Sequence, residues 1–175
     1  MAGFERHLAD ELEAIREAGL WRELRRVDSV EANRITIEGR EYLNFSSNDY
    51  LGLAGHPALG QAAKEAVEKF GVGSGASRLI CGSLGPHHEL EAALADWLGA
   101  ESAMVFSSGF AAAQGALTSL LGQGDVVILD KKAHASMIDA AKLSGATLRV
   151  FRHNDLENLE QRLQWAAEQG GRVLV

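Results

Sequence analysis

The sequence predicts an α/β fold: a mostly parallel sheet flanked by helices, preceded by an N-terminal helix and a β-hairpin. Three observations carry this. Short apolar runs (Val126-Val127-Ile128-Leu129, Thr147 to Phe151, and the stretch closing on Val175) alternate with segments whose apolar residues recur at helical spacing. Glycine-containing turns separate the two kinds of segment. Strands that alternate with helices pair in parallel, because each crossover returns the chain to the edge it left.

In chain order, residues 4–24 begin as an amphipathic helix, with Phe4, Leu8, Leu12 and Ile15 at steps of four, four and three. Ala18-Gly19 ends it, and Leu20 to Leu24 follow as an apolar tether. The plainest role for such a helix is packing on the body or on a second subunit. Arg34 to Ile37 and Glu41 to Phe45 flank Glu38-Gly39-Arg40, which predicts a hairpin. Asn44 to Leu53 reads as a polar loop with aromatic punctuation. Residues 57–70 form a helix with Pro57 in its first turn and Gly71 past its end. A glycine-rich loop, 71–85, leads to a helix opened by Pro86 and closed by Gly99. Ala103 to Phe106 is expected as a strand that breaks at Ser107-Ser108-Gly109-Phe110 into a helix carrying Ala113, Leu117, Leu120 and Leu121. The 126–129 strand ends in Asp130-Lys131-Lys132-Ala133-His134, with another helix behind it. After the strand 147–151, Asp155 caps a helix bearing Leu156, Leu159 and Leu163. Gly170 to Val175 starts one more strand. The expectation is thus the N-terminal portion of a longer protein, cut mid-sheet, with an arm over 1–45 and the first part of a larger domain over 46–175.

Composition narrows the function. The 175 residues suffice for one ordinary domain, and a net charge of -7 argues against nucleic-acid or anionic-membrane partners. Cys81 is the only cysteine, so no internal disulfide can form and a reducing, cytoplasmic setting is expected. No apolar run approaches membrane-spanning length. The first fifteen residues lack the basic-then-apolar pattern of a signal peptide.

Two strand ends carry the candidate chemistry. A strand, a tight polar turn and a helix start at Ser107 to Phe110 leave backbone N–H groups facing an anion, most often phosphate. The next strand delivers His134 to what should be the same sheet edge, where ligands of open α/β sheets bind. Each feature has a plainer reading: Ser108 merely caps a helix, His134 caps the next one, and Asp130-Lys131-Lys132 is a solvated loop. Gly71, Gly73 and Ala76 match a dinucleotide fingerprint formally, but they follow a helix and not a strand, so the match is discarded. His87-His88-Glu89 lacks the further ligands of a zinc site, leaving His88 for a buried hydrogen bond. Cys81 reads as structural.

Taken together, the motifs say more. Asn44-Phe-Ser-Ser-Asn-Asp-Tyr-Leu-Gly52, Gly73-Ser-Gly75, Arg78-Leu-Ile-Cys-Gly-Ser83, His88-Glu-Leu-Glu91, Phe106-Ser-Ser-Gly-Phe110 and Asp130-Lys-Lys-Ala-His-Ala-Ser136 resemble the α-oxoamine synthases. These are fold-type-I enzymes dependent on pyridoxal 5′-phosphate. The likeness runs from Leu20 onward, in the family's order. It implies that the Gly109 and Phe110 amides hold the cofactor phosphate. It further implies that His134 stacks on the pyridine ring and assists proton movement, that Arg22 contacts the acyl substrate, and that Asn48 lies near the amino-acid carboxylate. The wording from Phe45 to Gly52 is most similar to the biotin-pathway member. This implies decarboxylating condensation of L-alanine with a pimeloyl thioester, on coenzyme A or a carrier protein, by a homodimer. Glycine acetyl transfer is the alternative within the family, and a non-catalytic phosphate-binding module the alternative outside it. The family's Schiff-base lysine matches none of Lys64, Lys69, Lys131, Lys132 and Lys142. The 175 residues alone are therefore expected to be inactive.

Overall fold

The computed structural model describes residues 2–175. The chain divides into two compact units, 1–73 and 74–175.

The first unit opens with α1 (Ala2–Glu17), followed by an antiparallel sheet in the order β1 (Ser29–Glu31), β2 (Arg34–Ile37), β3 (Arg40–Leu43), and then α2 (Pro57–Phe70). The predicted hairpin is β2–β3, with Arg34 opposite Leu43 and Ile37 opposite Arg40. Its turn places Glu38 and Gly39 at φ 51° and 74°, the left-handed pair that matches the twist of the flanking strands. Three-residue β1 went unpredicted because it is too short to show alternation. α2 has the predicted bounds, with Pro57 in its first turn and the Gly71 amide donating to Val67 O. No described residue of this unit is buried; the apolar stripe Phe4, Leu8, Leu12 and Ile15 of α1 is 39–67% exposed.

The core lies in the second unit. Its elements are α3 (Gly85–Leu98), α4 (Gly109–Leu120), β4 (Val126–Asp130), α5 (Ala135–Ser144), β5 (Thr147–Phe151), α6 (Leu156–Ala167) and β6 (Val173–Leu174). The sheet is parallel, in the order β5-β4-β6, with Val126 beside both Thr147 and Val173. Central β4 is apolar on both faces, as a strand covered twice must be. Val127 and Leu129 pack with Ala113, Leu117 and Leu121 of the α4 segment and with Ala140 and Ala141 of α5. Val126 and Ile128 point the other way, against Ala166, Leu159 and Trp165 of α6 and Phe151 of β5. The chain thus leaves β4 towards one side over one face and returns past it over the other, giving the predicted α/β layers.

One expected strand is absent. Residues 103–106 carry no regular secondary structure and join no ladder among the described residues, and Met104 and Phe106 are exposed. An extended run becomes a strand only through a neighbour's N–H and C=O groups. Here the Val105 amide donates instead to Glu91 Oε1 at 2.9 Å.

That carboxylate anchors the glycine-rich loop. Arg78 grips Glu91 through two bonds, Nη1–Oε1 at 2.7 Å and Nη2–Oε2 at 2.9 Å, and its Nε donates to Ser83 Oγ at 3.3 Å. Ser83 Oγ also meets His88 Nε2 at 3.0 Å, so His88 makes its hydrogen bond on an exposed face and not a buried one. Its place one turn into α3 keeps the ring at the surface. Cys81 is likewise exposed. Next to it, Gly82 is buried, and a Cβ there would sit 1.9 Å from Ala76 O. The loop is therefore held by close backbone approach at Gly82, and the thiol carries no packing.

Two acids brace the second unit, and both titrate low. The Arg78 guanidinium first, then the Val105 amide, lowers Glu91 from 4.5 to about 2. The Arg172 guanidinium first, then the Arg172 and Gly122 amides, lowers Asp125 from 3.8 to about 2. A depressed carboxylate stabilises the fold fully above its unfolded value and loses that contribution as pH falls towards its folded value. The urea midpoint is accordingly expected to be level above pH 4.5 and to fall as pH drops from 4.5 to about 2. Glu91→Gln and Asp125→Asn should each flatten part of that fall. An equal fall in both variants would remove these pairs as its cause.

Candidate active site

The C-terminal edge of β4 gathers the candidate groups. α4 ends at Leu120, and a short turn enters β4 at Val126, so α4 packs back along the sheet with Gly109 at the opposite edge. β4 ends at Asp130, and α5 begins four residues beyond it. Both helix starts therefore lie at the edge where β4 ends.

At the start of α4, Ser108 holds extended backbone and its Oγ accepts from the Ala111 amide at 3.1 Å. Ser108 O accepts from Ala112 at 3.0 Å. No acceptor among the described residues takes the amides of Gly109 and Phe110. Two unspent donors at the positive end of a twelve-residue helix suit an anion. The plainer reading of Ser108 as a cap is also correct, and the two coexist because the cap uses only the third amide of the turn.

His134 starts α5. Its Nδ1 accepts from the Ser136 amide at 3.2 Å and meets Ser136 Oγ at 2.7 Å. Since an amide only donates, Nδ1 is the unprotonated nitrogen and the neutral ring carries its proton on Nε2. Nε2 has no partner among the described residues. The ring is thus both a helix cap and a fixed imidazole with one free nitrogen at the sheet edge.

Asp130 is not the solvated residue expected from the sequence. Its Oδ1 accepts from the Lys132 amide at 2.7 Å and from His153 Nδ1 at 3.0 Å, and its Oδ2 accepts from the Asn154 amide at 3.3 Å. The Lys132 amide is the chief cause holding this carboxyl below its ordinary value, with His153 and Asn154 adding to it. The partners lie 23 and 24 residues away in sequence, so periodicity carried no sign of them. Lys131 and Lys132 are exposed as expected.

Arg22 and Asn48 belong to the first unit. Arg22 lies in the irregular tether after α1, exposed, with Nη1 donating to Trp21 O at 3.3 Å. Asn48 is exposed in a loop knotted by its neighbour Asp49, whose carboxylate takes the Leu53 and Ala54 amides. Beside it, Asn33, Asn44, Phe45, Ser47, Asp49 and Tyr50 line a cavity of about 470 Å³.

Residues 40–175 match the family model of the class I and II aminotransferases. The chain belongs to this family. It is 51% identical over 157 residues to the 8-amino-7-oxononanoate synthase of Hahella chejuensis, and 48% identical over 171 residues to that of Geobacter sulfurreducens. These matches cover 90% and 97% of the chain but 40% and 43% of the relatives, so this family member spans about two fifths of their length. Among solved structures, it resembles the serine palmitoyltransferase of Sphingomonas wittichii at 36% identity and a TM-score of 0.80, over 90% of this chain and 40% of that one. An 8-amino-7-oxononanoate synthase from Francisella tularensis matches at 32% identity and a TM-score of 0.58, over 67% and 32%. The α-oxoamine synthase resemblance read from the motifs and the fold class are both borne out by these relatives.

Proposed function

We propose that this family member is the N-terminal part of an 8-amino-7-oxononanoate synthase, joining L-alanine to a pimeloyl thioester with loss of carbon dioxide. The observation that carries the reading is 45–51% identity to enzymes of that name along most of the chain. The solved serine palmitoyltransferases, at 34–36%, fall below that range, as does the solved 8-amino-7-oxononanoate synthase at 32%. Residues 46–175 would be the first part of the cofactor-binding domain of a cytoplasmic homodimer, with residues 1–45 as its arm.

The residues present fit pyridoxal 5′-phosphate. The unspent Gly109 and Phe110 amides suit its phosphate, and the fixed His134 imidazole suits stacking on its ring. When bound, that cofactor supplies an electron sink for negative charge developing at the substrate's α-carbon. His134 would stack on that ring and would hold or pass a proton at Nε2, because Nδ1 is committed to Ser136. Asn48 binds near the amino-acid carboxylate, and Arg22 contacts the acyl substrate. The Schiff-base lysine belongs to residues other than these 175, so this stretch binds and orients but does not turn over by itself.

The test is the full-length protein supplied with L-alanine and pimeloyl-CoA or pimeloyl carrier protein, followed by mass detection of 8-amino-7-oxononanoate. Glycine with acetyl-CoA and serine with palmitoyl-CoA serve as competitors. A higher kcat/KM for either competitor pair would displace the proposal.

A further inference from the structure

We propose that Asp130 is a positioning residue for His134, and that the Asp130–His153–Asn154 cluster joining the ends of β4 and β5 holds the loop that presents the imidazole. The inference rests on the reading of His134 as a site residue. It concerns what aims that ring, which the cap with Ser136 alone does not settle.

Asp130 holds the loop from both of its ends. Its carboxylate accepts from the Lys132 amide at 2.7 Å, and its carbonyl accepts from the Ala133 amide at 2.9 Å. The three residues between β4 and His134 therefore form a closed turn, and His134 is the next residue out. The carboxylate is in turn fixed from the neighbouring crossover. His153 Nδ1 lies 3.0 Å from Oδ1, and the Asn154 amide donates to Oδ2 at 3.3 Å. A carboxylate only accepts, so the neutral His153 ring carries its proton on Nδ1. Its Nε2 is then free to accept from Asn154 Nδ2, 3.4 Å away. Asn154 adopts φ 56°, a left-handed conformation that asparagine tolerates better than most residues. Every polar atom linking the three residues is matched, donor to acceptor, in one protonation state.

A carboxylate that merely closed its own loop would need the Lys132 amide and nothing more. The contacts from β5's end make the His134 loop depend on a residue 19 positions further along the chain. His153 is partly exposed, with 44% of its side chain accessible, so replacing it leaves the core untouched.

The experiment uses the full-length protein with Asp130→Ala, His153→Ala and His153→Gln. Without cofactor, the side-chain nitrogen resonances of His134 and amide hydrogen exchange at Ser136 are followed by NMR. Both alanine variants should speed Ser136 exchange about tenfold, as expected when a local opening becomes easier. They should also replace the single Nε2-protonated pattern of His134 with an average of tautomers. Glutamine at 153 can still donate to the carboxylate and should restore both signals. With cofactor, the alanine variants should lower kcat about tenfold, with less change in KM. In a His134→Asn background, Asp130→Ala should cost no further kcat, because it acts through the missing ring. Unchanged Ser136 exchange and His134 resonances in both alanine variants would overturn the proposal. So would a change confined to Asp130→Ala, since the cluster would then play no part. The NMR signals need no turnover. A full-length protein inactive on alanine and pimeloyl thioester would thus defeat the functional reading without deciding this one.

Discussion

Replacing His134 by asparagine in the full-length protein is expected to lower kcat about 10²–10⁴-fold, the usual worth of positioned acid–base assistance. The thermal midpoint should hardly move. The choice of asparagine follows from the two roles the ring combines. Its Nδ1 caps α5 through the Ser136 amide, while Nε2 is free at the sheet edge. Asparagine is among the best helix caps, so it keeps the first role and removes the second. Alanine removes both, and should add a stability loss of about 1 kcal/mol to the same fall in kcat. Measuring kcat and thermal midpoint for both variants separates the roles. If His134→Asn turns over like the parent while His134→Ala is only less stable, the imidazole is a cap and the site must be sought elsewhere.

Ile128→Ala is expected to destabilise the protein by about 2–5 kcal/mol, the range for truncating a fully buried isoleucine. Ile128 is 0% exposed and sits mid-strand on the face covered by α6. Neighbours there include Trp165, whose ring is covered at 4.0 Å by the guanidinium of Arg149, the β5 partner of Ile128. A wall pinned in that way relaxes poorly, so the cavity should persist and the cost should lie high in the range. The damage should also be one-sided. Val127 and Leu129 face α4 and α5, and the amides of those helices should keep more of their protection than those of α6. Urea unfolding and hydrogen exchange read the two parts. A loss below about 1 kcal/mol would mean that the α6 face closes over the gap and is no true core.

Features legible before any folding are those that depend on near neighbours. α2, α3 and α6 announce themselves through Pro57, Pro86, Gly99 and Asp155, because caps and breakers act within one turn of the residues they affect. Strand β5 lies where its apolar run predicts, and the buried character of β4 was legible because a strand covered on both faces is apolar at every position. The free amides of Gly109 and Phe110 were legible too, since any helix start leaves them. Family membership followed from motifs that keep their order along the chain.

Tertiary structure decided whatever needs a partner distant in sequence. The 103–106 run has strand composition, yet it joins no ladder among the described residues, because pairing requires a second backbone that periodicity cannot supply. Glu91 stood out only as the last residue of the His88-to-Glu91 motif, and nothing in the sequence showed that Arg78 and the Val105 amide converge on it. Asp130 read as solvated because its neighbours are two lysines, and only the parallel pairing of β4 with β5 brings His153 to it. The physical reason is common to all three. A hydrogen bond between groups far apart in the chain exists only after the sheet has brought them together, so its energy leaves no periodic trace in the residues that make it.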